Sequence, residues 1–415
     1  MREAMSARDA IVIGGGVVGM NCALSLQVRG LRVTLIDPCA TRPPSVGNAG
    51  HIAVEQVEPL ASPATLRALP GQLYWRGGPV SLPLREFGAW LPFSLRFLAA
   101  SHPRRFAVGK AALSALAAAA IPAWRRQLDR VGATDLLIED GHYLVWESPA
   151  AAEAGRRRWA KTETGTVSVR ECTGDELARI SAQLSRPLAG GLRFSGSGQI
   201  ADLEQLATAL AGGFERQGGV RLPLVARKLV ERSGKIEAVL DNGVRLSADI
   251  LVVAAGIASA ELLAPLGYRV PLIAERGYHL QAAETDWPAD FPPVVFEERA
   301  MLVTRFRSGL RAAGLFEFGR AGSPPDPRKW ARLRGHLDSL GIAFADPVEW
   351  MGARPTLPDY LPAIGRSRRL PGLYYAFGHQ HLGLTLAAAT GEALAALVVG
   401  EAPPVDLKPY AIERF

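Results

Sequence analysis

Residues 10–37 carry the pattern that most limits what this chain can fold into. Ala10, Ile11, Val12 and Ile13 form a short continuous apolar run, as expected of a strand buried on both faces. Gly14, Gly15, Gly16, Val17, Val18 and Gly19 follow at once. Apolar residues then recur at helical spacing over 17–28, and Arg29-Gly30 closes the stretch. A second buried strand, 32–36, ends in Asp37-Pro38. Each part has a physical task. Gly14 allows a tight turn, Gly16 lets a pyrophosphate approach the backbone, and Gly19 lets helix and strand pack closely. The helix start offers unpaired N–H groups and partial positive charge, which suit phosphate. Asp37 stands where a carboxylate accepts ribose hydroxyls. The expectation is a dinucleotide-binding unit at the N-terminus. The motif itself does not separate FAD from NAD.

Composition excludes several classes. Hydrophobic residues make up 48% and charged residues 21% of the 415, so disorder is not the main state. Cys22, Cys39 and Cys172 are too few for a disulfide framework and form no C-x-x-C pair. The net charge is +7, but only six of the 47 basic residues are Lys, and Arg is spread without a long block. No basic patch interleaved with aromatics occurs, so no nucleic-acid partner is expected. Residues 1–10 lack a signal-peptide core. The apolar stretch 111–123 is too short and weak to span a bilayer. The expected location is cytoplasmic.

The remaining chain reads as mixed α and β. Helices are expected over 82–97, 111–130, 153–162 and 202–213, the last with Asp202 as N-cap. Strands are expected over 141–146, 220–225, 229–231 and 236–240, with a hairpin turn at 241–243. Alternation over 271–282, 294–297, 301–306 and 310–318 predicts a long antiparallel sheet under a substrate pocket. The fold class is therefore α/β: a Rossmann-like dinucleotide domain interleaved with a domain on a mostly antiparallel sheet. The expected division is 1–52, 195–265 and 355–415 for the first, and 53–194 and 266–354 for the second.

After the second strand comes a small polar loop, Ser45, Val46, Gly47, Asn48, Ala49, Gly50, where an NAD enzyme would continue with a crossover helix. Further on stand the run Asp249 to Gly256 and the run Glu275, Arg276, Gly277, Tyr278, His279. Then come Trp350 to Pro355 with Pro358-Asp359 and Pro362 to Gly365, and finally Gly378 to Thr385. In this order the segments resemble the D-amino-acid oxidase superfamily of FAD enzymes, most of all the bacterial D-amino-acid dehydrogenases. The resemblance spans residues 9 to about 400. The forms Gly50-His51-Ile52 and Gly378-His379-Gln380-His381 resemble the subgroup acting on D-hydroxyproline or D-proline.

The resemblance implies FAD, and hydride transfer from the substrate α-carbon to flavin N5, giving an imine or 2-oxo acid. Gly14, Gly16, Val17, Val18, Gly19, Asp37 and Pro38 would hold the nucleotide half, with Arg227 near the adenine and Ala255 and Gly256 on the returning strand. Ser45, Asn48, Ala49 and Gly50 would line the diphosphate and ring. Gly378, His381, Leu382, Gly383, Leu384 and Thr385 form the flavin-facing turn, where a helix start stabilises charge on the reduced ring. Some relatives hold flavin through a cysteine in the C-terminal half. No Cys follows Cys172, so FAD is expected to be non-covalent. Arg354 is the candidate for the substrate carboxylate, because guanidinium offers a planar two-point fit. Tyr278 would add a hydroxyl to the same carboxylate or close the pocket, while alternation puts His279 on the opposite face. His51 is the candidate to accept or relay the amine proton, and Glu55 and Gln56 are candidates to read a hydroxyl or ring nitrogen. No metal is expected. Electrons would pass to a quinone or carrier, or to oxygen in a glycine- or sarcosine-type oxidase on the same fold. A reading of another class is the flavin subunit of a larger complex or a tRNA-modifying flavoprotein. Residues 87–106 combine Trp90, Phe93, Phe97, Arg104 and Arg105, as in an interfacial helix resting on a membrane.

Overall fold

The structure, a computed structural model, describes residues 8–38 and 44–415. Residues 1–7 and Cys39 lie outside the described residues. The N-terminal pattern folds as its chemistry requires. Strand Asp9–Ile13, helix Val17–Val28 and strand Arg32–Ile36 follow one another, and the two strands pair in parallel. They sit in a six-stranded sheet. Its order is Val220–Leu222, Arg32–Ile36, Asp9–Ile13, Ile250–Val253, Leu373–Phe377, Ala363–Arg366. The first five run parallel and the last is antiparallel to its neighbour.

A parallel sheet must be covered on both faces. On one side helices Val17–Val28, Leu203–Arg216 and Gly383–Val399 bury Val12, Val33 and Val252. On the other a three-stranded meander (Ala226–Arg232, Lys235–Leu240, Arg245–Ser247) packs Leu229, Ile236 and Leu240 against Ile11, Ile13 and Val253. The sheet thus gathers strands from both ends and the middle of the chain.

The second large sheet is mostly antiparallel. Its order is Val348–Thr356, Ile273–Ala282, Gly309–Gly319, Met301–Phe306, Val294–Phe296, His142–Trp146, Gly190–Ser195, Ser168–Glu171. Helix Pro327–Leu340 covers one face, with Trp330, Leu333 and Leu337 against Tyr278, Leu280 and Leu310. The sequence offers clear stop signals for this helix: Asp326 caps it, Pro327 opens it, and Gly341 closes it at φ +73°. A small sheet of His51–Ile52, Gly198–Ile200 and Leu137–Ile138 joins the two halves of the core.

The expected helices differ in their bounds: 153–162 is Pro149–Trp159 behind a Ser148 cap, 202–213 extends to Arg216, and two others differ more. The one placed over 82–97 begins only at Phe87, behind a tight turn at Leu84–Glu86 that follows Pro83. The one placed over 111–130 is two helices, Pro103–Ala118 and Ala120–Val131. The first starts earlier because His102 caps it and Pro103 suits its first turn. By length and composition alone, Pro103–Val131 taken through its break at Ala119 and Gln380–Val399 are long and apolar enough to cross a membrane, a test that helices packed in a protein core also pass. The second is a core helix, with 78% of its apolar window buried.

Candidate active site

The glycine turn is built for a close approach. Gly14 has φ +107°, and a Cβ there would lie 2.4 Å from the Ala254 carbonyl oxygen. A Cβ on Gly19 would lie 1.9 Å from the Gly14 carbonyl oxygen. Gly14 and Gly19 therefore tolerate no side chain, and the Val17–Val28 helix starts directly behind the turn. The Ser45 hydroxyl accepts from the Val17 N–H at 3.1 Å, and Asp37 Oδ1 accepts from the Gly15 N–H at 2.9 Å. A cavity of about 120 Å3 runs beside this turn, lined by Gly15, Met20, Asp37, Ser45, Leu206 and Arg221. Arg227 is the extra residue of a β-bulge, lies exposed, and lines neither this cavity nor the next. Arg221 is the arginine that the fold brings to the nucleotide side, a residue the motif reading passed over.

Loop 45–50 separates this cavity from a second, larger one, and the second sheet clamps it there. Arg311 donates to the carbonyls of Val46 (2.9 Å) and Asn48, and is itself held by Gln281. His279 Nδ1 lies 3.0 Å from the Gly47 carbonyl, and its ring stacks on Trp350 at 4.7 Å. A Cβ on Gly47 would sit 2.1 Å from the Trp350 ring. Thr304 Oγ1 donates to the Ala49 carbonyl at 2.9 Å, and Asn48 Oδ1 accepts from the Gly50 N–H at 2.9 Å. Burial lowers the Arg311 guanidinium to about 10, still charged at neutral pH. Arg311, Thr304 and Trp350 were not identified as site residues from sequence, because their partners lie some 250 to 300 positions away.

The second cavity holds about 500 Å3 and is walled by Asn48, Ala49, His51, Glu55, Gln56, Glu275, Arg354, His381 and Leu382, with Leu315 and Phe316 opposite. Arg354 faces it, paired to Glu275 at 3.0 Å. Glu275 is also held by the hydroxyls of Thr356 (3.1 Å) and Tyr360 (3.2 Å). The guanidinium lies over Gly277, where a Cβ would come within 2.4 Å of Nη2. His381 Nε2 lies 2.7 Å from Gln56 Oε1, and burial lowers its imidazole to about 4. The Gly383–Val399 helix begins immediately after His381 and Leu382, and Thr385 Oγ1 accepts from the Ala53 N–H at 3.0 Å. Gly378 has φ +78°, and a Cβ there would strike Leu357. His379 turns inward to Thr390 at 3.0 Å and does not share a site with His381.

Tyr278 is not in this cavity, which corrects the expectation from sequence. It is 1% exposed and lies on the face covered by helix Pro327–Leu340. Its hydroxyl donates to Glu317 at 2.5 Å and accepts from the Asp326 N–H at 3.0 Å. Glu317 there also pairs with Arg276 and with Lys329, all three fully buried. Alternation places Glu275, Gly277 and His279 on the cavity-and-loop face and Tyr278 behind it. His279 therefore takes the face that had been assigned to Tyr278.

The residues present fit a flavin dinucleotide. A helix start behind a glycine turn, a carboxylate at the end of the second strand and a clamped polar loop lie in sequence. They lead to a large cavity with a second helix start at its wall. The family described as DAO, FAD dependent oxidoreductase, matches residues 9–397. The chain is 30% identical over 418 residues to a D-amino-acid oxidase of Bradyrhizobium diazoefficiens, covering 98% of this chain and 99% of that protein. It is 30% identical to D-amino acid dehydrogenase 2 of Ralstonia nicotianae, covering 97% and 99%. Among solved structures, glycine oxidase from Geobacillus kaustophilus shares the fold with a TM-score of 0.73 at 20% identity, covering 98% of each chain. L-proline dehydrogenase from P. horikoshii does so at 0.72 and 17%, covering 99% of this chain and 98% of that one.

Proposed function

The chain belongs to the DAO family of FAD-dependent oxidoreductases, and from that premise we propose that it oxidises a D-amino acid in the cavity faced by Arg354. FAD, when bound, supplies the acceptor for a hydride from the substrate α-carbon. The protein's share is positioning. The observation that carries the reading is Arg354: a guanidinium at the cavity wall, fixed on one side by Glu275, with further N–H groups available to a carboxylate. The D-hand rests on the names of the relatives. D-proline and cis-4-hydroxy-D-proline are the substrates we favour, from the Gly50-His51-Ile52 and Gly378-to-His381 forms. Anaerobic bleaching of the bound flavin by a panel of D- and L-amino acids including these two tests it. Bleaching by D-members is expected, and bleaching by L-members alone would reject the assignment of hand.

In this reading Gly14, Gly16, Val17, Val18 and Gly19 receive the pyrophosphate, and Asp37 and Pro38 meet the ribose. Ser45, Asn48, Ala49, Gly50, Ala255 and Gly256 line the path to the ring. Gly378, His381, Leu382, Gly383, Leu384 and Thr385 bring the second helix start to it. His51 stands beside the place of the amino group. The stretches 1–52, 195–265 and 355–415 make up the FAD domain, and the remainder the substrate domain.

The acceptor we favour is a quinone or carrier reached at a membrane surface. Helix Phe87–Ala100 buries Phe93 and packs it on Phe318, yet leaves Phe87, Leu95 and Leu98 about half exposed. In the preceding segment Trp75 is 71% and Leu84 86% exposed, and Arg76, Arg85, Arg96, Arg104 and Arg105 are close in sequence. Exposed apolar side chains interspersed with Arg suit an anionic bilayer surface. Co-flotation with anionic vesicles, lost in a Leu84→Asp/Leu98→Asp variant, is the expected result. Peroxide formation at the full turnover rate in air would favour oxygen as acceptor instead.

A further inference from the structure

We propose that Glu55, backed by His51 and His142, forms the subsite that receives the substrate's amino group and takes its proton. This rests on the amino-acid reading above. Four glutamates are buried in the described chain: Glu55, Glu86, Glu275 and Glu317. Three are paired with a cation of the protein: Glu86 with Arg320, Glu275 with Arg354, and Glu317 with Arg276 and Lys329. Glu55 is the exception. It is 4% exposed, and among the described residues its neighbour at ion-pair distance is His51, with Nε2 3.8 Å from Oε1. Glu55 Oε2 and His51 Nε2 have no hydrogen-bond partner. A buried carboxyl with no cation beside it holds its proton, and it becomes a carboxylate at neutral pH only when a cation from outside enters next to it.

Position says what completes it. Glu55 and Arg354 line the same cavity. An amino acid whose carboxylate rests on Arg354 carries the cation that Glu55 lacks. Behind Glu55, the His51 ring meets His142 edge-on at 4.4 Å, and His142 Nδ1 lies 3.0 Å from Ser197 Oγ. Burial pushes the Glu55 carboxyl up to about 8 and the His51 imidazole down to about 4, and holds His142 well below its ordinary range. The two imidazoles are therefore neutral and do not compete with an ammonium. A carboxyl near 8 is matched to an amine near neutral pH.

The step balances without a co-reactant. An ammonium N–H bond breaks, an O–H bond forms on Glu55, and the freed lone pair stays on nitrogen; no electron changes hands. The groups around Glu55 are His51 and His142, with Arg193 beside the latter. Across the cavity stand Arg354, Glu275 and His381, and at its rim Glu58 and Glu163, both bridged to Lys110.

The test is anaerobic stopped-flow reduction of the holoenzyme by the best amino acid of the panel, followed across pH. Wild-type kcat/KM is expected to fall below about pH 8 as Glu55 gains a proton. Glu55→Gln is expected to run about 100-fold slower at neutral pH and to approach wild type only where the substrate amine is free in solution. Glu55→Asp should keep the acid limb. An infrared band of a protonated carboxyl, present in wild type at neutral pH and missing in Glu55→Gln, gives a readout apart from turnover. It also stands on the wild type alone, by its loss toward about pH 10. An unchanged pH profile in Glu55→Gln would overturn the proposal and leave the amino-acid reading standing. Failure of every amino acid to bleach the wild type would remove both. One equivalent of tightly held divalent metal, lost in Glu55→Gln, would also overturn it, because these three side chains lie close enough to share a metal ion.

Discussion

Arg354 and Glu275 stand directly opposite each other on neighbouring strands, and their side chains form an ion pair at 3.0 Å on the cavity face of the sheet. Glu275 fixes the guanidinium's direction while Thr356 and Tyr360 fix Glu275. Replacing Arg354 by Leu removes a charged partner from a desolvated site, which costs about 2–5 kcal/mol. The expected result is a kcat/KM lower by about 100-fold or more, chiefly through KM, with the flavin spectrum unchanged.

Gly277→Ala makes a finer test of the same arrangement. The new methyl group would press on the guanidinium from beneath, since an ideal Cβ stands 2.4 Å from Arg354 Nη2. Arg354 must swing away from the position that Glu275 sets. A rise in KM without loss of FAD is expected from steady-state kinetics and the visible spectrum. Unchanged kinetics would mean that Arg354 does not act from this position.

Arg311→Met should loosen the flavin loop and not the substrate. It strips a charged donor from the partly buried carbonyls of Val46 and Asn48, and a lost hydrogen bond to a charged group costs about 1.5–3 kcal/mol. Equilibrium dialysis of FAD should show affinity lower by about 10-fold or more. The apparent Tm of the apoprotein should fall less than that of the holoenzyme.

Buried histidines should set the acid limb of stability, with Glu55, raised to about 8, offsetting part of it. Burial lowers His51 and His381 to about 4 and His379 to about 3, from an ordinary value of 6.5. Each is neutral when folded, while the unfolded chain gains a proton as pH drops through about 6.5. The stability each supports is complete above that value and declines toward the folded pKa. At about pH 5 each withholds roughly 2 kcal/mol. Thermal scans of the apoprotein should show Tm falling steeply between about pH 6.5 and 4. A flat Tm across that window would mean these rings are accessible to water.

The first strand-turn-helix-strand unit was legible because its parts are contiguous. Gly14 and Gly19 shape its turn through backbone and Asp37 closes on it through its carboxylate, so spacing alone conveys their geometry. The helix start at Gly383 was legible for the same reason. Arg311, Thr304, Trp350 and His142 were not, because each meets its partner through long-range packing that leaves no local pattern. Tyr278 failed for a different reason. The Ile273–Ala282 strand is buried on both faces nearly throughout, so period-2 alternation sorts its residues into two sets without saying which set faces the cavity.

The clamp on loop 45–50 bears on how the protein is made. The residues that hold the loop, His279, Thr304, Arg311 and Trp350, leave the ribosome more than 200 residues after it, and the Gly383–Val399 helix follows later still. A nascent chain can form its first strand-turn-helix unit early, but it has no finished seat for the flavin until almost all of it has been synthesised. The clamp on loop 45–50 is thus a late product of synthesis, closed only when the second sheet is complete.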